Sequence, residues 1–325
     1  MSAIARGGAV PPASATPHGS ARQRWAADRR DIERNWLLYL MALPGIASIL
    51  IFGYGPLFGL LIAFLDYSPM RGIRGSEWVG LENFQAAVRS PFFWQALQNS
   101  VIISALKLAI GFPSAIVLAL LLNEVGRRWI QRVVQTATIL PFFVSWVVIA
   151  AMFRSLFAPD GVINEVRQAL GWETITFLSD PDRFRWVIVL QDTWKYAGYF
   201  AVLYLAAIAA IDPALYEAAK VDGAGRWRQI LDITLPGIRP TMVTLFVLLT
   251  GYLIFAGWEQ IIVMYNPSVY STSDILETFS LRLGLSQSKY GLATAVGMFQ
   301  AAIGLGLVLV TNAFARRFNE TGGLF

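Results

Sequence analysis

Six stretches of this chain are each long and apolar enough to cross a lipid bilayer. A helix needs about 20 mostly apolar residues to span the hydrocarbon core. The stretches lie near Leu37–Phe64, Leu97–Leu122, Val133–Phe157, Trp186–Ile211, Met242–Tyr265 and Leu292–Ala315. None shows the two-residue alternation of a membrane barrel strand. Only 14% of the 325 residues are charged, against about 25% in a soluble domain. The sequence therefore predicts an all-α membrane protein with six transmembrane helices. Prolines and glycines inside the runs, such as Pro113, Pro141, Gly251 and Gly257, read as kinks and close-packing points. Neighbouring helices re-satisfy the backbone groups that such residues free.

Several chemistries are excluded. The chain has no Cys, and its one histidine is His18, in a polar N-terminal segment. Disulfides, thiolate metal sites, histidine triads and His-ligated zinc or haem sites therefore drop out.

The basic residues set the expected orientation, because Lys and Arg gather on the cytoplasmic side of short loops. The N-terminal segment, the connections 123–132 and 212–240 and the C-terminal tail together hold 15 Lys and Arg, and the intervening connections hold 8. Both termini are expected to be cytoplasmic. The net charge of +5 thus reads as a topology signal; no aromatic-plus-basic array points to nucleic acid. Residues 1–35 read as a disordered basic cytoplasmic tail. No apolar signal core precedes Leu37, so the first span is expected to act as an uncleaved anchor. Residues 36–318 read as the transmembrane domain and 319–325 as a short C-terminal tail.

The connection from Asp212 to Arg239 stands apart. Asp212 is a good N-cap and Pro213 suits the first helical position. A short helix is predicted over 214–221, ended by Gly223 in the left-handed conformation. A second is predicted over 226–234, closed by Leu235 and Pro236. Two short helices about a glycine turn, carrying charges of both signs, make a knob suited to docking on another protein.

The spacing Glu217-Ala218-Ala219, three residues, Gly223, nine residues, Ile233, one residue, Leu235-Pro236 resembles the signature of permease subunits of binding-protein-dependent ABC importers. The fuller form, with Asp222-Gly223-Ala224 after the first triplet, is also present. One departure is Ile230, where many carbohydrate permeases of the family carry Phe. The runs Gly80–Phe84, Phe93–Ser100, Leu120–Glu124, Leu140–Trp146, Tyr265–Pro267 and Glu320–Gly323 are similar to the oligosaccharide and polysaccharide branch, the alginate type included. The resemblance covers most of residues 37–325.

It implies a type I ABC importer permease fold in the inner membrane, with no catalytic residue in this chain. None of the four lysines, Lys107, Lys195, Lys220 and Lys289, lies in a phosphate-binding Gly-Lys-Ser/Thr loop. The implied partners are a second, related permease, an ATPase dimer that binds the ATP and magnesium, and a periplasmic or lipid-anchored solute-binding protein. No cofactor or metal is implied for this chain itself. The residues implied to couple to the ATPase are Glu217, Ala218, Ala219, Asp222, Gly223, Ala224, Ile230, Leu235 and Pro236, within the loop 212–236.

The substrate path is read from charges and aromatic faces within the spans. A charge at a membrane helix centre costs about 2.5–3.5 kcal/mol, so Lys107, Asp192, Lys195 and Glu259 should avoid lipid. Asp192, Lys195, Tyr196 and Tyr199 recur on one face of the fourth span. Tyr252 and Glu259 share a face of the fifth, with Gln260 adjacent. These residues suit a saccharide path, since aromatic faces stack on sugar rings and carboxylates and amides bind hydroxyls. The alternative for Asp192 and Lys195 is a local ion pair that serves packing, and Glu259 and Lys107 read first as structural. Asp192 beside Lys195 offers local neutralisation, so an acidic oligosaccharide is the secondary option for substrate. The competing function is an ion-coupled secondary transporter using Asp192, Lys195 and Glu259 as a relay, whose hallmark would be an inverted repeat; none is apparent. A channel lacks a filter motif, and a membrane enzyme lacks a catalytic constellation.

Overall fold

The computed structural model describes residues 34–251 and 253–315. The expected tails at 1–33 and 316–325 lie outside them, as does Tyr252. The chain divides into two compact units, one ending at Gly59 and one beginning at Leu60.

The first unit holds a helix, α1 (Trp36–Ser48), that continues through a π-helical turn (Ile49–Tyr54) into a tighter 3-10 stretch (Gly55–Phe64). Its side chains are apolar all round, and none between Trp36 and Tyr54 is buried within the protein. A helix apolar on every face belongs in lipid or against another membrane helix.

In the second unit a two-residue antiparallel pair, β1 (Leu65–Asp66) with β2 (Glu77–Trp78), sets Leu65 opposite Trp78. The principal helices follow in order: α2 (Glu82–Arg89), α3 (Pro91–Glu124), α4 (Arg128–Ile139), α5 (Trp146–Phe157), α6 (Val162–Ala169), α7 (Pro181–Ala209), α8 (Pro213–Val221), α9 (Arg226–Gly251), α10 (Trp258–Met264), α11 (Leu276–Leu281) and α12 (Tyr290–Ala315). Among the described residues five helices pass as spans by length and hydropathy, and the bent pair α7–α8 brings the total to six.

The two long helices α3 and α7 pack side by side and form the scaffold. One packing cluster joins Ile103 of α3 and Phe184 and Ile188 of α7 to Ile149 and Phe153 of α5 and Ile261 and Met264 of α10. A second, near the opposite ends of α3 and α7, joins Ala115, Ile116, Ala201, Tyr204 and Ile208 to Ile238 of α9. A third packs Phe93, Leu276, Phe279 and Val296. Close approach of α4 to α7 depends on Gly198: a β-carbon there would lie 2.1 Å from the Thr138 carbonyl oxygen.

Two of the predicted spans are not continuous. The third is interrupted between α4 and α5 by a 3-10 turn, Leu140–Phe143, with Val144 and Ser145 extended. Pro141 lacks a donor, and the Ser145 hydroxyl accepts from the Val148 N–H at 3.4 Å to start α5 afresh. The fifth breaks at Ala256 and Gly257, both left-handed with φ of 43° and 76°. The second helix of the knob, expected to close at Leu235 and Pro236, instead runs on into the fifth span. A π-helical turn, Ile230–Thr234, carries it past the proline, since its wider backbone accommodates the ring. Knob and span are therefore one helix, α9.

Candidate functional site

Each break lays bare backbone carbonyls, and a lysine on a neighbouring helix meets each one. At the α9–α10 break the donor is Lys107 of α3. Its Nζ lies 2.9 Å from the Ala256 carbonyl, 2.6 Å from Gln260 Oε1 and 2.9 Å from Asp192 Oδ1 of α7. An ammonium has three donors, and here all three are used, on three different elements. Gln260 passes the link on, since its Nε2 donates to the Ile188 carbonyl at 2.8 Å and to Gln191 Oε1 at 2.9 Å. Gly257 is required twice over. Its φ of 76° favours glycine, and a β-carbon would sit 2.8 Å from the Lys107 nitrogen.

At the α4–α5 break the donor is Lys195 of α7. Its Nζ reaches the Pro141, Phe142 and Val144 carbonyls at 3.1, 3.0 and 2.5 Å. The rings of Phe142, Trp146 and Tyr196 lie 5.3–5.9 Å from it, close enough for cation–π attraction. The alternative reading of a local Asp192–Lys195 ion pair is thus not what the structure forms. One turn apart on α7, they point to different neighbours: Asp192 pairs with Lys107, and Lys195 is committed to carbonyls. Replacing Lys195 with Met is expected to leave the Phe142 and Val144 carbonyls without their donor, at about 1–3 kcal/mol each, while the Pro141 carbonyl keeps the Val144 N–H at 3.1 Å. Thermal unfolding of the purified protein should begin roughly 5–10 °C lower. An unchanged unfolding temperature with weakened saccharide stimulation would instead mark Lys195 as a substrate contact.

Beside the Lys107 joint lies a cavity of about 310 Å³ between α3, α7 and the α9–α10 break, at the lower end of the range for small-molecule sites. Lys107, Asp192, Ser104 and Thr193 form its polar part, and Phe112, Tyr196, Phe200, Tyr204 and Trp258 its aromatic walls. The Ser104 and Thr193 hydroxyls are buried and have no hydrogen-bond partner among the described residues. Such groups are normally paired, so they are free to meet a ligand hydroxyl. Of the predicted path residues, Asp192 and Tyr196 line this cavity. Lys195 and Gln260 are used within the bundle. Tyr199 stacks on Phe142 with ring centroids 4.2 Å apart, and Glu259 is exposed. Ser104, Phe112, Thr193, Phe200, Tyr204 and Trp258 were missed. The signal was present, for Ser104, Lys107, Leu108, Gly111 and Phe112 follow the i, i+3, i+4, i+7, i+8 rule of one helix face.

Outside the spans, Glu277 of α11 buries both carboxylate oxygens, and no side chain among the described residues meets them at full hydrogen-bond geometry. Burial lifts its pKa to about 7, with the Gln300 amide and Lys107 as weaker opposing influences. No group of three or more potential metal ligands occurs among the described residues.

At the other end of α7, the first helix of the knob and its glycine turn are built as the sequence predicts. Asp212 Oδ1 accepts from the Ala214 N–H at 2.9 Å. At the end of α8, the Gly223 N–H bonds the Lys220 carbonyl and the Ala224 N–H bonds the Ala219 carbonyl, with Gly223 at φ 78°. This is the double closure of a Schellman motif. The Tyr216 hydroxyl meets Thr234 Oγ1 at 2.9 Å and ties α8 to α9. Glu217, Ala218, Asp222, Gly223 and Pro236 are exposed, while Ala219, Ala224, Ile230 and Leu235 are partly buried. The largest apolar exposures on the knob belong to Val221, at 88%, and Trp227, at 78%. A pair of apolar side chains this open, flanking a rigid turn, suits a docking contact.

Residues 111–320 match the family described as "Binding-protein-dependent transport system inner membrane component". The chain is 45% identical over 286 residues to the polygalacturonan/rhamnogalacturonan transport system permease protein YteP of Bacillus subtilis (strain 168), covering 88% of this chain and 89% of that one. It is 35% identical over 215 residues to the lactose transport system permease protein LacF of Rhizobium radiobacter, covering 66% and 70%. A crystal structure of a bacterial ABC transporter involved in import of the acidic polysaccharide alginate contains a similar chain. That chain is 40% identical, with a TM-score of 0.84 and coverage of 92% of this chain and 100% of the other.

Proposed function

Because the chain belongs to the family of binding-protein-dependent transport system inner membrane components, we propose that it carries oligosaccharides derived from acidic polysaccharides through the cavity beside Lys107. It is the transmembrane subunit of a sugar ABC importer, and is not itself an enzyme. It works with a second permease, an ATPase pair and a periplasmic binding protein. ATP and magnesium belong to the ATPase. The knob faces the cytoplasm, where the ATPase lies, and six crossings then put both termini on that side.

The observation that carries the mechanism is the continuity of α9. The helix that begins in the knob at Arg226 runs as far as Gly251, and its Leu249 lines the cavity. Closure of the ATPase moves the knob, and the same helix moves the cavity wall. This is a rigid-body transition driven by a partner.

Two observations support the saccharide class. Aromatic walls and unpaired hydroxyls suit stacking on sugar rings and bonding to their hydroxyls. The relatives named for polygalacturonan/rhamnogalacturonan and for alginate favour uronate-bearing chains, which raises the acidic option above the neutral one. The Lys107–Asp192 pair leaves the cavity floor without net charge, so this chain passes the saccharide and the binding protein selects it. The ion-coupled alternative loses its relay: Asp192 and Lys195 are held by other partners, and Glu259 lies exposed.

The test is import into proteoliposomes holding the complete importer. Uronate oligosaccharides should accumulate with ATP, and neutral ones of equal length should do so at least about tenfold more slowly, a selection of about 1.4 kcal/mol. Equal uptake of both would overturn the acidic preference. No uptake of any saccharide would overturn the function.

A further inference from the structure

We infer that Lys107 is the positioning residue that makes the cavity and the cytoplasmic knob respond to one another. The inference rests on the saccharide-import reading above and names the joint through which that import is coupled.

The break at Ala256 and Gly257 divides the fifth span between two packing clusters. Above it, Ile261 and Met264 pack with the upper parts of α3 and α7. Below it, Ile238 packs with their lower parts. The lower half is continuous with the knob, so movement at the knob must be resolved at the break. There one ammonium holds the Ala256 carbonyl at the break, Gln260 in the first turn of the upper half and Asp192 of the neighbouring span. The same ammonium and Asp192 line the cavity. A saccharide hydroxyl or carboxylate that engages either one competes with the joint, and displacement of the joint reshapes the site. Two sites that bias one bistable element are thermodynamically coupled in both directions.

Nothing in this arrangement requires the lysine to touch substrate throughout transport. Its part is to hold two half-helices in one register until knob and cavity change together.

The experiment compares complete reconstituted importers carrying wild-type chain, Lys107→Met, Lys107→Met with Asp192→Asn, and Gly257→Ala. The readout is ATP hydrolysed per uronate oligosaccharide imported, normalised to assembled complex, so that poor yield does not enter. Lys107→Met should raise this ratio about fivefold or more. The double variant removes the unpaired carboxylate and should recover yield while the ratio stays high. Gly257→Ala, which pushes a β-carbon against the ammonium, should raise the ratio with both charges still present. A wild-type ratio in Lys107→Met, or its return in the double variant, would assign the lysine to packing alone and overturn the inference. Wild-type complex that imports no saccharide would instead bring down the function it rests on.

Discussion

Alanine at Gly198 is expected to remove nearly all folded protein from the membrane. The added methyl would lie 2.1 Å from the Thr138 carbonyl oxygen, 2.3 Å from its carbon and 2.8 Å from the Ile139 nitrogen. All three are backbone atoms, so no side chain can swing aside and α4 must back away from α7. Overpacking of this kind costs about 1–3 kcal/mol and occasionally more. Here the displaced segment leads directly to the carbonyls that Lys195 caps, so part of that capping is lost as well. Together the cost should reach about 3 kcal/mol or more, and the ratio of folded to unfolded chain should fall by more than about a hundredfold. Size-exclusion chromatography of the detergent-solubilised variant should show little or no monodisperse peak. Wild-type yield and unfolding temperature would mean that the two helices are not held this closely.

The second large effect separates assembly from transport. Proline at Gly223 should leave the six spans inserted and reduce saccharide uptake at least about tenfold, equivalent to about 1.4 kcal/mol of lost coupling. Proline fixes φ near −65° and has no N–H. Position 223 sits at φ 78° and donates to the Lys220 carbonyl. Both requirements fail together, so α8 loses its fixed angle to α9, and Val221 and Trp227 lose their common presentation. The turn is exposed and lies outside the bundle clusters, which is why insertion should survive. Co-purification of the ATPase should weaken in parallel. Uptake and ATPase recovery at wild-type levels would show that the turn does not carry the coupling.

What could be read from the sequence divides along a physical line. The spans were legible because bilayer thickness imposes a length on apolar runs. The knob was legible because caps are local: Asp212, Pro213 and Gly223 declare their roles from their nearest neighbours. The interruptions were less so. Pro141 and Ser145 carry a readable signal for the first. The second rests on Ala256 and Gly257, and nothing local requires alanine to take a positive φ; Lys107, far away in the sequence, supplies the reason. The same distance misdirected the charge pairing. Asp192 and Lys195 are helical neighbours, and neighbour rules join them, but each finds its partner on another helix. The end of the knob's second helix was misplaced for a related reason. Leu235-Pro236 is a stop signal in an ordinary α-helix, and a π-helical turn just before it carries the helix onward. Of the predicted path, Asp192 and Tyr196 do line the cavity, while Tyr199 faces the third span, one helix face away.

The joint at the fifth-span break also has an electrical consequence. A membrane voltage acts on any net charge that moves through it, by about 2.3 kcal/mol per elementary charge per 100 mV. Lys107 and Asp192 are paired at 2.9 Å, so a joint that moves with the pair intact moves a dipole with no net charge. Lys195 is anchored to the Pro141 and Phe142 carbonyls of the α4–α5 break, on another part of the bundle from the fifth-span joint. The pair at the joint therefore adds no net charge of its own to such a movement, and the membrane potential does no work on it.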